Sequence, residues 1–139
     1  MVTIHKTLYT PSNVTHHPPR KVRFVGRLTT HVLDTAHGCP GADIAVRLYT
    51  DGGAAPLVQA RTNADGRCDA PLLEGAALKP GRYVLEFDVG AYFRAKGVTL
   101  PDPPFLDVVR IAFGIADAGA HYHVPLLVSP FGYSTYRGS

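Results

Sequence analysis

Short stretches in which apolar residues alternate with polar ones recur along this chain, and turn-forming residues separate them. Successive side chains of a β-strand point to opposite faces, so this period of two is typical of strands with one buried face. Only residues 90–97 have a convincing helical character. The pattern therefore predicts an all-β fold, a two-sheet antiparallel β-sandwich with one short helix. The predicted strands comprise residues 28–34, 42–49, 57–62, 81–88, 107–114, 121–128 and 133–136.

The alternation also predicts which side chains form the core. His31 and His123 fall on the opposite faces of their strands, where a polar residue is either solvated or functional. The predicted core faces of these two strands comprise Leu28, Thr30 and Val32 in the first, and Tyr122, Val124 and Leu126 in the second.

The length of 139 residues is typical of a single domain. Residues 1–21 are rich in proline and turn formers and show little periodicity, which predicts an irregular N-terminal arm. Strand signals begin at Val22, so residues 22–139 form the predicted sandwich domain. The adjacent His16 and His17 of the arm are more typical of a polar surface than of a metal site.

Composition and motifs exclude several classes of protein. The formal net charge is +3, and we interpret the one basic cluster, at residues 20–23, as a solvated arm. No nucleic-acid-binding motif, P-loop or dinucleotide-binding glycine motif occurs. We expect no membrane-spanning helix and no secretory signal peptide, because the apolar runs are too short. Cys39 and Cys68 fit no metal or redox spacing, so reduced thiols in a cytoplasmic protein are expected.

Three polar residues on or beside predicted strands are candidates for chemistry. They are His31, Arg67 and His123, and Arg67 directly follows the tight turn at Asp65 and Gly66. Each is also compatible with an ordinary surface position, and spacing alone does not show whether the three meet. No GxSxG nucleophile motif occurs, and neither cysteine has a base nearby in the sequence. Water is therefore the predicted nucleophile of any metal-free hydrolase built on this chain.

A zinc site is an alternative interpretation of the same histidines. His121 and His123 share one strand face, a spacing that metal sites use, and His31 is a candidate third ligand. No Asp or Glu shares the strand faces of these histidines to orient the ligands, which counts against this alternative.

Several motifs carry a resemblance to a known family. The terminal tetrapeptide YRGS, residues 136–139, follows HYHVPLL at 121–127. Together the motifs resemble those of the 5-hydroxyisourate hydrolase family of transthyretin-like proteins. The YRGS motif is specific, because hormone-carrying transthyretins lack it. The resemblance covers residues 27–139, and the other stretches that contribute are 28–34 with 38–41, 62–67 and 90–93.

The resemblance implies an assembly and a site. The sandwich is expected to form a homotetramer, a dimer of dimers, with active sites in the channel between dimers. That location accounts for histidines turned away from the core of one protomer. Ser134 and Gly138 are expected to line the same channel. The implied catalytic residues are His31, Arg67 and His123, and the implied substrate-binding residues are His31, Arg67, Tyr136 and Ser139.

The implied reaction is the hydrolysis of 5-hydroxyisourate to 2-oxo-4-hydroxy-4-carboxy-5-ureidoimidazoline in urate breakdown. His31 and His123 are expected to activate water, and Arg67 to stabilise the developing negative charge. Tyr136 and Ser139 are expected to position the planar substrate. No cofactor and no metal are expected. The expected location is cytoplasmic, or peroxisomal if the source is eukaryotic.

Two further alternatives remain. A transthyretin-type carrier of a small aromatic ligand would use the same channel, but a carrier of apolar hormones favours an apolar channel. Two histidines, an arginine and a polar terminus argue for hydrolysis instead. A purely structural sandwich, such as an adhesin, would leave the histidines unexplained.

Overall fold

The computed structural model describes residues 26–138, which form two packed β-sheets and one short α-helix. A 3-10 turn covers Gly75–Ala77, and helix α1 covers Val89–Ala95. The predicted irregular arm, residues 1–21, lies outside the described residues. The strands are β1 (Arg27–Asp34), β2 (Cys39–Pro40), β3 (Ala45–Thr50), β4 (Val58–Arg61), β5 (Leu73–Glu74), β6 (Gly81–Asp88), β7 (Val108–Ile115), β8 (His121–Ser129) and β9 (Gly132–Thr135).

The two sheets confirm the predicted sandwich with one short helix. One sheet has the strand order β2-β1-β8-β9, with β5 also paired to β1, and the other has the order β4-β3-β6-β7. Within residues 26–138, every strand pair is antiparallel except β1 and β8, which run parallel. Alternation fixes which face of a strand is buried but not the direction of its neighbour, so the sequence did not indicate this parallel pair. Strands β2 and β5 were not predicted, because two residues are too few to show alternation.

The core lies between the sheets and is built from the alternating apolar positions. All six predicted core residues of β1 and β8 are buried, namely Leu28, Thr30, Val32, Tyr122, Val124 and Leu126. Burying one large apolar side chain is worth about 1.5–3 kcal/mol, so the alternation decides which face turns inward. A register slip of one residue would drive His31 and His123 into the core. Burial of the alternating apolar residues therefore keeps both histidines on the outer face of the sheet.

A buried carboxylate ties helix α1 to the end of β1. Asp34 is 1% exposed, and its Oδ2 accepts hydrogen bonds from the Tyr92 hydroxyl at 2.7 Å and from Nδ1 of His37 at 2.6 Å. Its Oδ1 accepts the main-chain N–H groups of Ala36 and His37 at 3.0 Å each. Burial raises the pKa of Asp34, but the hydrogen bonds from Tyr92 and His37 outweigh it and hold that pKa below its usual value.

No helix in this described part of the chain is long and apolar enough to cross a membrane.

The outer face of the second sheet carries a network of ion pairs. The register sets Arg47 of β3 opposite Glu86 of β6, and Glu86 opposite Arg110 of β7. The guanidinium of Arg47 donates to Glu86 at 3.1 Å and to both oxygens of Asp88 at 2.6 and 3.0 Å. Arg110 donates to the second Glu86 oxygen at 2.5 Å. This sheet face is thus closed by charge pairs and is separate from the histidine face.

Candidate active site

The outer face of the β1–β8 pair carries the polar residues that alternation turned away from the core. The parallel register sets Thr29 opposite His123 and Arg27 opposite His121. Residues two apart on a strand share a face, so His31 lies beside Thr29 on the same surface. The parallel pairing thus brings the two histidine-bearing segments together.

The hydroxyl of Thr29 links both imidazoles of β8. Its Oγ1 lies 2.9 Å from Nε2 of His121 and 2.8 Å from Nδ1 of His123. The two ring centroids are 6.2 Å apart. Since Thr29 and both histidines are half-buried, these two bonds fix the orientation of both rings.

A tight turn brings Arg67 to β1. Gly66 has a φ of 76°, in the left-handed region that favours glycine, and a Cβ there would lie 2.4 Å from the carbonyl oxygen of Val32. The Gly66 carbonyl accepts the Val32 N–H at 2.8 Å. His31 and Arg67 then pair as an isolated antiparallel bridge. The turn therefore seats against β1 only because residue 66 lacks a side chain.

The same turn orients the His31 ring. Nε2 of His31 lies 2.9 Å from the main-chain carbonyl oxygen of Asp65. A carbonyl oxygen only accepts hydrogen bonds, so Nε2 carries the proton. With Nε2 engaged in this way, Nδ1 is the nitrogen of the ring that is left to accept a proton.

The segment after β9 folds back onto β8. The N–H of Gly138 donates to the carbonyl oxygen of His123 at 2.7 Å, and these two residues form an isolated bridge. The guanidinium carbon of Arg137 lies 4.2 Å from the centroid of the Tyr122 ring, a cation–π contact. Tyr136 is 59% exposed. The terminal segment is thus fixed at the main chain while the Tyr136 side chain remains available.

Two adjoining surface cavities share His121 and His123. The larger, of about 710 Å³, is completed by Tyr136, Arg137 and Gly138. The smaller, of about 380 Å³, also contacts Arg67 and Arg27. The remaining residues that line the smaller cavity are Thr29, Thr30, Cys68 and Ala70. The imidazole pair therefore stands between two openings that are each flanked by arginine.

Burial and positive neighbours depress the basicity of both β8 histidines. Burial lowers the pKa of His123, and the positive charges of Arg67, His121 and His31 lower it further. Burial and the Arg27 guanidinium likewise lower the pKa of His121. Both rings therefore stay neutral to a lower pH than a free histidine, and a neutral imidazole can accept a proton.

The structure brings together part of the predicted site. His123 lines both cavities, Arg67 lines the smaller one and Tyr136 lines the larger one. His31 pairs with Arg67 through the main chain, but its side chain does not line either of these cavities. Ser139, the fourth predicted substrate-binding residue, lies outside the described residues.

Sequence reasoning missed several residues of the site. Thr29, which contacts both histidines, and Arg27, which lines the smaller cavity, were not named as site residues. His121 was named only as a candidate zinc ligand, and Arg137 only as part of the YRGS motif, yet both line the larger cavity. Thr29 is two residues from His31 on β1 and so lies on the same strand face. Only the register of β1 against β8 reveals its partner, and that register is a long-range property.

The three histidines do not form the zinc ligand set of the alternative interpretation. Among residues 26–138, no group of three or more His, Cys, Asp or Glu side chains could hold a metal ion. Nε2 of His121 and Nδ1 of His123 instead face the Thr29 hydroxyl, and Nε2 of His31 faces the Asp65 carbonyl.

The arrangement has the chemical capacity to activate water beside an electron-rich molecule. Neutral imidazoles are proton acceptors at neutral pH. Guanidinium groups bind and stabilise oxygens that carry negative charge. Arg27, Arg67 and Arg137 supply such groups on several sides of the imidazole pair. The site therefore suits a polar, oxygen-rich ligand better than an apolar one.

Comparison with known proteins identifies the relatives of this chain. The sequence profile of the HIUase/Transthyretin family matches residues 28–138. A protein of Ralstonia nicotianae named 5-hydroxyisourate hydrolase is 66% identical over 117 residues, which cover 83% of this chain and 100% of the relative.

Solved structures have the same architecture. A crystal structure of (S)-allantoin synthase aligns with a TM-score of 0.79 at 42% identity, over 83% of this chain. This chain spans only 44% of the length of that protein. Sea bream transthyretin, solved in complex with thyroxine, aligns with a TM-score of 0.70 at 30% identity, over 81% of this chain and 94% of the transthyretin.

Proposed function

Because this chain belongs to the HIUase/Transthyretin family, we propose that it hydrolyses 5-hydroxyisourate to 2-oxo-4-hydroxy-4-carboxy-5-ureidoimidazoline. The observation that carries the proposal is the position of His123 in both arginine-flanked cavities, with a depressed pKa. A neutral base next to guanidinium groups fits the attack of water on a carbonyl. The names of the bacterial relatives support the same reaction.

The substrate is bound by charge and by hydrogen bonds. 5-Hydroxyisourate is a compact molecule with several carbonyl oxygens, which are hydrogen-bond acceptors. Arg67 binds these oxygens and stabilises the negative charge that develops as water adds. Tyr136 and Ser139 orient the ring, and the exposed Tyr136 side chain in the larger cavity supports this role.

Water is activated by the histidines. His31 accepts a proton at Nδ1, because Nε2 is engaged with the Asp65 carbonyl. His123 acts from the opposite strand of the β1–β8 pair. The positive charge of His31 is one cause of the lowered pKa of His123, so separate acid and base roles are not assigned to the two residues.

The active form is a homotetramer, a dimer of dimers, whose sites lie in the channel between dimers. The openness of both cavities in a single protomer supports this assembly, since a partner surface would close them. β7 and β9 are each the outermost strand of their own sheet, so they offer backbone for pairing with a second copy. Tyr133 of β9 and Val108 of β7 are both exposed in the protomer.

The catalytic domain comprises residues 22–139, and the location is cytoplasmic. The family match over residues 28–138 supports this domain extent. The bacterial relatives, together with two unpaired thiols, Cys39 and Cys68, support the cytoplasm.

The direct test generates 5-hydroxyisourate in the cuvette from urate and urate oxidase. Its ultraviolet absorbance is followed with and without this protein, in the presence of a strong chelator. We expect accelerated decay that the chelator does not affect. Decay at the spontaneous rate would refute the hydrolase proposal. Loss of activity in chelator would instead support the alternative of a metal-dependent hydrolase.

The likeness to thyroxine-bound transthyretin favours a second candidate, carriage of a small aromatic ligand. The same preparation distinguishes the two. A carrier binds thyroxine without accelerating the decay of 5-hydroxyisourate, whereas a hydrolase accelerates the decay.

A further inference from the structure

Among residues 26–138, the hydroxyl of Thr29 is the one group that hydrogen-bonds to both β8 imidazoles, and nothing in the proposed water activation uses it. Its distances to Nε2 of His121 and Nδ1 of His123, 2.9 and 2.8 Å, are those of good hydrogen bonds. The contact spans the parallel β1–β8 register, where Thr29 and His123 are directly opposed. It is therefore a fixed part of the sheet.

A hydroxyl has one proton to donate and two lone pairs to accept with. A neutral imidazole has one nitrogen that donates and one that accepts. Three arrangements satisfy both contacts. Thr29 donates to His121 and accepts from His123, or donates to His123 and accepts from His121, or accepts from both rings. In the third arrangement the hydroxyl proton has no acceptor among the described residues.

We propose that Thr29 is a positioning residue that donates to Nε2 of His121 and accepts from Nδ1–H of His123, so that protons pass between the two rings through its hydroxyl. This inference rests on the proposed hydrolysis and deepens it. In this arrangement Nε2 of His123 keeps its lone pair and is the nitrogen that takes a proton from water. His121 becomes the place where that proton is held.

The proton transfers balance. Water gives a proton to Nε2 of His123 and its hydroxide adds to the substrate carbonyl. Nδ1 of His123 gives its proton to Thr29, and Thr29 gives its own proton to Nε2 of His121. His123 is then neutral with a proton on Nε2, ready to protonate the leaving ring nitrogen. The proton held on His121 returns through Thr29 to Nδ1 of His123, which restores the starting state.

The charges around the rings favour transfer in this direction. His123 faces Arg67, His31 and His121, and the terminal segment adds Arg137 beside the shared cavity. His121 shares the cavity with Arg137 and also faces Arg27. His123 also has more positive neighbours lowering its pKa than His121 has. A positive charge is thus disfavoured on His123, and transfer of the proton to His121 places that charge beside fewer positive neighbours.

The tautomers of the two rings test the arrangement directly. In the proposed arrangement both neutral rings carry their proton on Nδ1, whereas free imidazole side chains favour Nε2. The full-length protein is labelled with nitrogen-15 in histidine, and two-bond proton–nitrogen correlation spectra are recorded at a pH where both rings are neutral. Spectra of His121→Gln and His123→Gln assign the signals. We expect the Nδ1–H pattern for both rings.

Other patterns overturn the proposal. Nε2–H on both rings would mean that Thr29 donates to His123, and mixed tautomers would mean that it accepts from both. We expect Thr29→Val to return both rings toward Nε2–H and Thr29→Ser to keep the wild-type pattern. Thr35→Val, which removes a hydroxyl beyond the end of β1, is the matched control and should leave both tautomers unchanged.

Kinetics complete the test. We expect Thr29→Val to lower kcat by about 10-fold or more, since positioned acid–base groups contribute about 100- to 10,000-fold. KM should change little, Thr29→Ser should restore most of kcat, and Thr35→Val should be unaffected. Equal turnover of Thr29→Val and wild type would overturn the relay. If the wild-type protein fails to accelerate the decay of 5-hydroxyisourate, the hydrolase proposal is refuted instead. The tautomer spectra would still test the hydrogen-bond arrangement around Thr29.

Discussion

The N–H of Gly138 donates a 2.7 Å hydrogen bond to the carbonyl oxygen of His123, and the His123 ring occupies the space that a side chain at residue 138 would need. A Cβ at Gly138 would lie 2.7 Å from Cδ2 of the ring. The terminal segment and the histidine are thus in direct contact at two levels, main chain and ring. The position of the ring depends on the absence of that Cβ.

Gly138→Ala should therefore displace the His123 ring and lower kcat/KM by about 10-fold or more, because a misplacement near 1 Å costs up to about 100-fold. Steady-state kinetics with 5-hydroxyisourate measure the effect. Gly114→Ala is the matched control, since a Cβ there meets nothing within 4 Å. Equal losses in both variants would mean that the effect is not local to His123.

His31→Ala should lower kcat by about 100-fold while leaving the oligomeric state unchanged, because it removes the proposed proton acceptor. Turnover is measured beside the mass from light scattering. Near-normal turnover would remove His31 from the mechanism. That outcome would agree with the finding that its side chain lines neither shared cavity.

The pH dependence of kcat/KM should reflect the lowered pKa of His123. The base must be neutral to act, so activity should persist below about pH 6.5, the usual value for histidine, and fall as the pH drops through the lowered pKa. Arg67→Gln removes one cause of the lowering and should move the acidic limb to higher pH. Arg67→Lys keeps the charge and should leave the limb in place. An unmoved limb in Arg67→Gln would contradict the electrostatic coupling.

Asp34→Asn should lower the free energy of unfolding at pH 7 by about 3 kcal/mol, because an amide cannot accept from Tyr92 and His37 as the buried carboxylate does. The folded-state pKa of Asp34 lies below its unfolded value of about 4, so its contribution is present above that pH and is lost as the pH falls through the folded pKa. Urea unfolding at fixed protein concentration should show that the difference in the free energy of unfolding between variant and wild type becomes smaller below about pH 4. A constant gap would mean that the carboxylate charge plays no part.

Arg47→Ala should lower the free energy of unfolding by about 2–3 kcal/mol, because it leaves the buried Glu86 and the half-buried Asp88 without their shared partner. Arg61→Ala is the matched control. Its ion pair with Asp43 is well exposed, with side chains 62% and 80% accessible, so the unfolding midpoint should barely move. Equal shifts would show that burial of the Arg47 pairs is not what matters.

The sequence predicted the fold well because alternation is a local signal. The buried faces of β1 and β8 follow directly from it, and so does the outward position of His31 and His123. Helix α1 begins at Val89, one residue before the predicted stretch. The motifs at residues 136–139 and 121–127 led to the correct family.

The sequence did not predict how the site is assembled. Thr29 and His123 are 94 positions apart, and their contact requires the parallel direction and the register of β1 against β8. Neither leaves a local signal, since hydrogen bonds between strands depend on pairing rather than on residue type. For the same reason the contact of Gly138 with His123 was not foreseen.

The parallel pairing of β1 with β8 also has a consequence for how the protein is made. β1 leaves the ribosome well before its parallel partner β8, which follows some 90 residues later. Until β8 is synthesised, the backbone edge of β1 stays open to incorrect partners. Closing such a distant pair is slow relative to local hairpins. Catalytic activity should therefore appear late in synthesis, after both sheets have formed. Until then, β1 is the segment of the nascent chain that most needs protection from aggregation.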